Sequence, residues 1–356
     1  MTRIQSLLAA ASALLATSPA LADIQWTPER EAQARADIEA GTFGTVTSVL
    51  ILQDEEVVFE GYFNGADAQT LHNTRSVTKT IIGQIAGLAI SDGVLGLDQP
   101  LAPLFADIHP FQNPDPRKDA ITPLDLLTMS GPLECDDWNE FSRGNEERMY
   151  LVEDWSRFFW DLPIRGYPSW ATPPSETEYG RSFSYCTAGV QVLGEAVARA
   201  AGRAVMEYAE ERLFAPLGVD AFEWAVTASG RPHLGGGLLL TSRGLAAFAE
   251  LQRTGGIAQG QRILPESWTT QSITPQGVIS EGGGFEYGYL WWLDERHTAA
   301  GPVQLAMMNG NGGNRVWIVP EHGLTIVLTK TDFNTATMHR EAFEFFEQAI
   351  APALTQ

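Results

Sequence analysis

The spacing of apolar and polar positions changes period twice along the chain. Thr27 caps and Pro28 opens a predicted helix that runs to about Ala40 and stops at Gly41. Thr45 to Gln53 and Val57 to Phe63 are then rich in β-branched and aromatic residues, with Asp54-Glu55-Glu56 between them, which predicts a hairpin. Ile81, Ile82, Ile85, Ala86, Leu88, Ala89 and Ile90 follow, apolar on nearly every side of a helix that ends near Asp92-Gly93. Such a helix is buried all round, and this one is too short to cross a bilayer. Helical spacing continues: Thr122-Pro123 starts a short helix to about Met129, and others are predicted near Leu151–Phe159, Gly189–Ala201, Val205–Phe214 and, capped by Thr241 or Ser242, within Leu238–Leu251. The period then returns to two. Tyr287–Leu293, Val303–Met308, Arg315–Val319 and Leu324–Thr329 read as consecutive antiparallel strands, before an amphipathic helix at about Met338–Ile350. Strands at both ends with helices between predict an α+β domain over 23–356. One antiparallel sheet is built from about 23–75 and 280–356, and a mostly helical lobe from about 76–279.

The first 22 residues modify that picture only by their removal. A short apolar run from Leu7 to Leu15 and Ala20-Leu21-Ala22 before Asp23 form a signal peptide with its cleavage site, so the expected location is periplasmic or secreted, with no membrane span after cleavage. The formal net charge of -21 argues against nucleic acid and anionic lipid as partners. The six histidines are scattered, and no His-Glu-x-x-His or Cys-x-x-Cys cluster supports a metal; no cofactor is expected. Cys135 and Cys186 are the only cysteines, and in an exported protein they are either one disulfide or two buried thiols. Ser130 to Pro174 is irregular and carries Trp138, Trp155, Trp160 and Trp170, the composition of a segment that shapes a binding cleft. Gly282-Gly283-Gly284 reads as a flexible loop.

Three stretches carry candidate chemistry. Ser76 and Lys79 share one face of the first turn of the apolar helix, a nucleophile beside an amine. The four-residue pattern is common by chance, and its bland version is a helix cap followed by a solvated lysine. A lysine at the head of a buried helix is costly, however, unless paired or neutral, and desolvation and the helix macrodipole both oppose an ammonium there. Tyr185 stands at a turn just before the helix Gly189–Ala201. Met308-Asn309-Gly310-Asn311-Gly312-Gly313 joins two strands, where glycines let a ligand approach backbone amides. No Gly-x-Ser-x-Gly elbow supports a Ser-His-Asp enzyme instead.

In this order the motifs resemble the serine hydrolases related to class C β-lactamases, DD-peptidases and family VIII esterases, over nearly the whole chain after the leader. Ser-Val-Thr-Lys at 76–79, Leu-Leu-Thr-Met-Ser-Gly-Pro-Leu at 126–133, Tyr185 before Gly-Val-x-x-Leu-Gly, and the strands around Trp317-Ile318-Val319-Pro320-Glu321 carry the resemblance. Glu134-Cys135-Asp136-Asp137-Trp138 and the Gly-Asn-Gly-Gly loop look most like the esterases and 6-aminohexanoate-dimer hydrolase-like amidases. The resemblance implies a β-lactamase/transpeptidase-like fold. It implies Ser76 as acylated nucleophile, Lys79 as base, Tyr185 as proton shuttle, and the Ser76 and Asn311 N–H groups as oxyanion hole.

Two departures bear on substrate. Tyr-x-Asn is replaced by Tyr185-Cys186-Thr187, and Lys-Thr-Gly by Met308-Asn309-Gly310, so the cation that would face a substrate carboxylate is missing. Arg75, Arg315 and Lys330 are its candidate replacements. The substrate expected is a neutral or zwitterionic ester or small amide; a β-lactamase or DD-peptidase, and an inactive binding protein of the same fold, are the alternatives. Asp136, Trp138, Thr187, Tyr289, Trp291, Asn309 and Gly312 are candidate substrate contacts. The acid pair Asp136 and Asp137 suits a substrate ammonium or merely caps a turn, and Tyr287-Gly288-Tyr289-Leu290-Trp291-Trp292 lines the cleft or is sheet core. Nothing in the sequence sets the oligomeric state.

Overall fold

The hairpin forms as its sequence predicts. β1 (Val46–Gln53) and β2 (Glu56–Tyr62) are joined by Asp54 and Glu55, at φ 49° and 71°. A two-residue turn with both central φ values positive matches the twist of its flanking strands. The structure is a computed structural model and describes residues 23–167, 178–227, 229–279 and 284–355. The expected leader 1–22, Trp170, Gly282 and Gly283 lie outside the described residues.

β1 is also the joint between the two ends of the chain. Its other edge pairs antiparallel with β8 (Leu324–Lys330), so that Leu50 lies between Glu60 and Val327. Beyond β8 come β7 (Asn314–Val319), β6 (Gly301–Gly310), β5 (Trp292–Thr298), β4 (Glu286–Tyr287) and β3 (Gly277–Val278). The sheet order is β2-β1-β8-β7-β6-β5-β4-β3, antiparallel throughout. β7 and β8 are buried along their whole length, as central strands covered on both faces must be. Trp317, Ile326 and Leu328 face α1 (Pro28–Glu39) and the terminal helix, while Val316, Ile318 and Val327 face the helical lobe.

Between the sheet and that lobe runs α2 (Val77–Ser91), buried from Val77 to Ala89. Full burial of Ile81, Ile82, Ile85 and Leu88 contributes about 1.5–3 kcal/mol each. On α2, Thr80 Oγ1 donates to Leu290 O at 2.7 Å and Gln84 Nε2 to Phe248 O at 2.9 Å, while Gln84 Oε1 is buried without a partner. α3 (Thr187–Ala201) packs against α2, and α4 (Ser242–Arg253), with Thr241 as its cap, lies against β8. The terminal helix α5 (Met338–Phe345) starts beside the β6–β7 turn. Cys135 and Cys186 are joined as a disulfide, with Cα atoms 5.3 Å apart.

One expected strand is broken. Tyr287–Leu293 divides into β4 and β5, and Gly288 to Trp291 leaves the sheet to meet the helical lobe. Leu290 sits at φ 61° and its N–H donates to Leu127 O at 2.8 Å. A Cβ on Gly288 would stand 2.1 Å from Ser272 O, so only glycine permits that approach. The period-two face of Tyr287, Tyr289 and Trp291 is therefore lost.

Candidate active site

Ser76 begins α2, but its side chain makes no capping hydrogen bond. The bland version of Ser-x-x-Lys fails on both residues, since Lys79 is only 2% exposed. Lys79 Nζ donates to Ser76 Oγ at 2.9 Å and to Gly235 O at 2.6 Å, and lies 5.0 Å from the centre of the Tyr185 ring. Ser76 and Tyr185 line the same cavity. Burial pushes the Tyr185 phenol up, opposed by Lys79 and by the nearby Ser76 hydroxyl. The serine hydroxyl thus has an amine within hydrogen-bond distance and a phenol nearby. An amine nitrogen 2.9 Å from a serine oxygen is within the distance at which, once unprotonated, it can exchange a proton with that serine.

The backbone around Ser76 is set by close approaches. Arg75 takes φ 51°, a left-handed turn that throws Ser76 to the head of the helix. The end of β6 presses against the same turn: a Cβ on Gly310 would stand 2.0 Å from Thr74 O. Beyond Gly310, the Asn311 side chain forms a reciprocal pair with Asn334, with Nδ2 donating at 2.7 Å and Oδ1 accepting from Asn334 N at 2.9 Å. Asn311 O accepts from Asn314 Nδ2 at 2.8 Å. With side chain and carbonyl engaged, the Asn311 N–H is the group the residue can offer to a ligand. Ser76 N–H, in the first turn of a helix, has no intrahelical acceptor.

Ser76, Tyr185, Asn309, Gly310 and Asn311 line a cavity of about 340 Å³, together with Trp138 and Trp292. Its far wall is acidic. Asp137 Oδ2 accepts from Thr187 N and Thr187 Oγ1, each at 2.7 Å, and Thr187 Oγ1 lies 3.0 Å from Glu146 Oε2. Burial, then the Glu146 carboxyl, push Asp137 up to about 7 against Lys79 and the Thr187 hydrogen bonds. On α5, His339 also lines the cavity; the residue is exposed, and the protein packed around its ring, with Arg315 and Lys330, lowers it to about 4. A larger pocket beside the 152–163 segment and a smaller one flanking α3 hold none of these groups.

A family model described as beta-lactamase matches residues 34–349. The chain belongs to the beta-lactamase family. A 6-aminohexanoate-dimer hydrolase of Paenarthrobacter ureafaciens is 24% identical over 303 residues, covering 82% of this chain and 74% of that protein. EstCE1, a hydrolase with promiscuous acyltransferase activity, superposes with a TM-score of 0.67 at 15% identity, over 89% of this chain and 97% of that one. A D-stereospecific amidohydrolase from Streptomyces sp. gives 0.65 at 15% identity, over 89% and 98%. The structures show the shared fold; with the family match, they make this protein a hydrolase of beta-lactamase fold with esterase-like and amidase-like relatives.

Within this beta-lactamase-family fold, the candidate contacts fall into two groups. Trp138, Asn309 and Asn311 line the cavity with Ser76 and Tyr185. Tyr289 and Trp291 do not: both are buried, Tyr289 against Trp268, because the strand that would have carried them breaks at Gly288. Trp292, their neighbour, takes that place. Gly312 also lies off the lining, and its N–H meets the Met338 sulfur at 3.2 Å. Asp136 turns inward on its own segment, where Oδ1 accepts from Trp138 N at 3.0 Å, and Asp137 is the acid on the cavity. Thr187 holds Asp137 rather than lining the wall. Met308 is fully buried in the core facing α2, so no cation stands there. Of its suggested replacements, Arg75 is exposed over the Phe333 ring and Lys330 is paired with Asp332 and Glu341. Arg315 is buried behind His339, 3.2 Å from its Nδ1.

Glu146, Gly235 and His339 are the site residues that the sequence reading missed, whereas Trp292 belongs to the aromatic run expected to line the cleft or the sheet core. Gly235-Gly236-Gly237 was the one legible signal, a run whose lack of side chains lets a carbonyl reach Lys79. Glu146 lay unmarked among the acids of the irregular segment. Among the described residues there is no group of three or more His, Cys, Asp or Glu that could hold a metal, and no helix long and apolar enough to cross a membrane.

Proposed function

We infer that the protein is an exported serine hydrolase of esters or small amides, working through an acyl-enzyme on Ser76. The observation that carries this is the 2.9 Å contact between Lys79 Nζ and Ser76 Oγ, with the Tyr185 ring 5.0 Å from the same amine in the same cavity. In the reactive state Lys79 is the free amine. It takes the Ser76 proton as Oγ attacks the carbonyl carbon, and the oxyanion forms against the N–H groups of Ser76 and Asn311. Collapse breaks the bond to the leaving group, which receives the proton through Tyr185. Water then attacks the acyl-enzyme by the reverse route, releasing acid and restoring Ser76. The signal-peptide pattern and the Cys135–Cys186 disulfide support an oxidising compartment, periplasmic or external.

The absence of a cation at Met308 and the acidic wall at Asp137 and Glu146 support a neutral or ammonium-bearing substrate over a β-lactam, which carries a carboxylate. A fluorophosphonate probe is expected to label Ser76, and Ser76→Ala to abolish both the label and turnover of short p-nitrophenyl esters. Lys79→Arg is expected to be as inactive as Lys79→Ala, at least about 10³-fold down in kcat/KM, because guanidinium cannot act as base. An intact fold that takes no label would overturn the proposal. Nitrocefin turnover equal to that of the esters would move it to a β-lactamase.

A further inference from the structure

We propose that Asn314 and Asn334 are positioning residues: they hold Asn311 from two sides, so that its N–H stays in register with the Ser76 N–H to receive the oxyanion. This deepens the hydrolase reading of the same cavity and rests on it. Asn314 opens β7 opposite Gly310, the last residue of β6, and is 1% exposed. Both ends of its carboxamide are engaged. Oδ1 accepts from Lys330 N, at the end of β8, at 3.1 Å. Nδ2 donates to Asn311 O at 2.8 Å and, at the longer distance of 3.4 Å, to Asn73 O. The Lys330 N–H can only donate and the two carbonyls can only accept, so one orientation of the amide satisfies all three. Asn73 stands three residues before Ser76. One buried side chain therefore ties the turn that delivers the nucleophile to the turn that delivers the second oxyanion donor.

Neither turn is placed by regular structure alone. Arg75, at φ 51°, donates its N–H to Asn73 Oδ1 at 3.3 Å, so Asn73 shapes the approach to Ser76 with its side chain while its carbonyl meets Asn314. Asn311 is followed by Gly312 and Gly313 at φ 87° and 86°, where the lack of a Cβ leaves the backbone its widest freedom. The close approach of Gly310 to Thr74 O brings the two turns into contact, and the Asn314 amide sets how they are aligned. The second hold comes from outside. Asn334 is exposed, at φ 60°, and forms the reciprocal pair with the Asn311 side chain, so that Asn311 is bonded through its carbonyl on the inner side and its carboxamide on the outer. An oxyanion donor is effective only within about 2.7–3.1 Å of the oxygen as charge develops on it. A small swing of the Asn311 peptide therefore slows the tetrahedral stage and leaves binding of the planar ester nearly unchanged. An amide that served only the fold would instead lower the melting temperature and weaken every ligand alike.

Phenylboronic acid and benzyl alcohol separate the two roles. Ser76 Oγ adds to the boron, its proton passes to Lys79 and no group leaves, so the tetrahedral adduct carries an oxygen where the oxyanion forms; benzyl alcohol makes no adduct. Inhibition by each is measured on p-nitrophenyl acetate turnover, with kcat and KM, for wild type, Asn314→Ala and Asn334→Gly. Asn314→Ala is expected to lower kcat about 10- to 100-fold with KM within about threefold, short of the roughly 10²–10³-fold loss that follows outright removal of an oxyanion donor. It is expected to weaken phenylboronic acid at least about tenfold and benzyl alcohol by no more than about twofold. Asn334→Gly suits the positive φ and keeps the backbone donor, and is expected to lower kcat about three- to tenfold in the same pattern. Because Asn334 is on the surface, its variant decides the question if Asn314→Ala fails to fold. A folded variant with kcat within about twofold of wild type, or one that weakens both inhibitors equally, overturns the positioning role. Wild type that takes no fluorophosphonate label sinks the hydrolase reading itself, whereas labelled, active wild type beside equally active variants sinks only the tie.

Discussion

At the scale of single residues, Asp137 is where the fold gives up stability. Its carboxyl titrates near 7 in the folded protein against an ordinary 3.8, first because it is buried and then because Glu146 is close; Lys79 and Thr187 oppose the shift. Tyr150 and Tyr185 also feel its charge. Between about pH 4 and 7 the folded state therefore holds a proton that the unfolded chain has released. The folded state binds more protons, so this group makes stability fall as pH rises through that window, and the loss is complete above 7. Asp137→Asn is expected to remove the loss. Thermal melts should show it more stable than wild type at pH 8, by on the order of a few kcal/mol, with the gain fading to nothing by about pH 4. A gain of the same size at both pH values would show packing rather than charge to be responsible. The residue types of the site were legible where spacing is fixed by one helix turn, as for Ser76 and Lys79. They were not legible where the partner arrives from a distant segment. Asp136 and Asp137 are adjacent in sequence, and which one faces the cavity depends on an Asx turn that the hydrophobic pattern does not encode.

At the scale of elements, the Cys135–Cys186 disulfide fixes two functional segments to each other. Cys186 follows Tyr185 directly, and Cys135 stands two residues before Asp137. Asp137 N also donates to Tyr185 O at 2.9 Å, so the acid and the phenol move as one unit. The bridge spans a sequence separation of 51, for which loop-closure entropy assigns roughly 4 kcal/mol. The Cys135→Ser/Cys186→Ser double variant is expected to melt well below wild type and both to lose kcat and to raise KM, because Tyr185 and Asp137 lose their shared anchor. Unchanged melting after full reduction, followed by mass spectrometry, would remove the bridge from the stability argument. Element existence was otherwise well marked in the sequence. The hairpin, α2, α3 and the C-terminal strands were legible because each is a continuous apolar stretch, buried on one face in α3 and on every side in α2, β7 and β8. The break at Gly288 escaped notice because the reason for it is tertiary. Ser272 and Leu127 hold that stretch from the helical lobe, and the aromatic alternation survives in the sequence without a strand to express it.

At the scale of the whole molecule, the formal charge of -21 and the local acid pair both favour cationic substrates, and they can be separated by range. The diffuse field acts over distances beyond a Debye length, about 10 Å at 0.1 M salt, and added salt screens it. Asp137 and Glu146 act at contact distance inside a cavity, where screening is much weaker. A matched set of p-nitrophenyl esters with ammonium, neutral and carboxylate tails distinguishes the two. On raising salt from about 0.01 to 0.5 M, kcat/KM for the ammonium ester is expected to fall roughly three- to tenfold. The carboxylate ester should gain by a similar factor and the neutral ester stay within about twofold. What remains of the preference for ammonium over neutral at the higher salt is the share owed to the wall itself, and Glu146→Gln is expected to erase that remainder while leaving the salt dependence of the carboxylate ester intact. If the preference vanishes with salt in wild type, the acidic surface alone steers the substrate. The cavity would then be selective only against carboxylates, as the buried Met308 already implies.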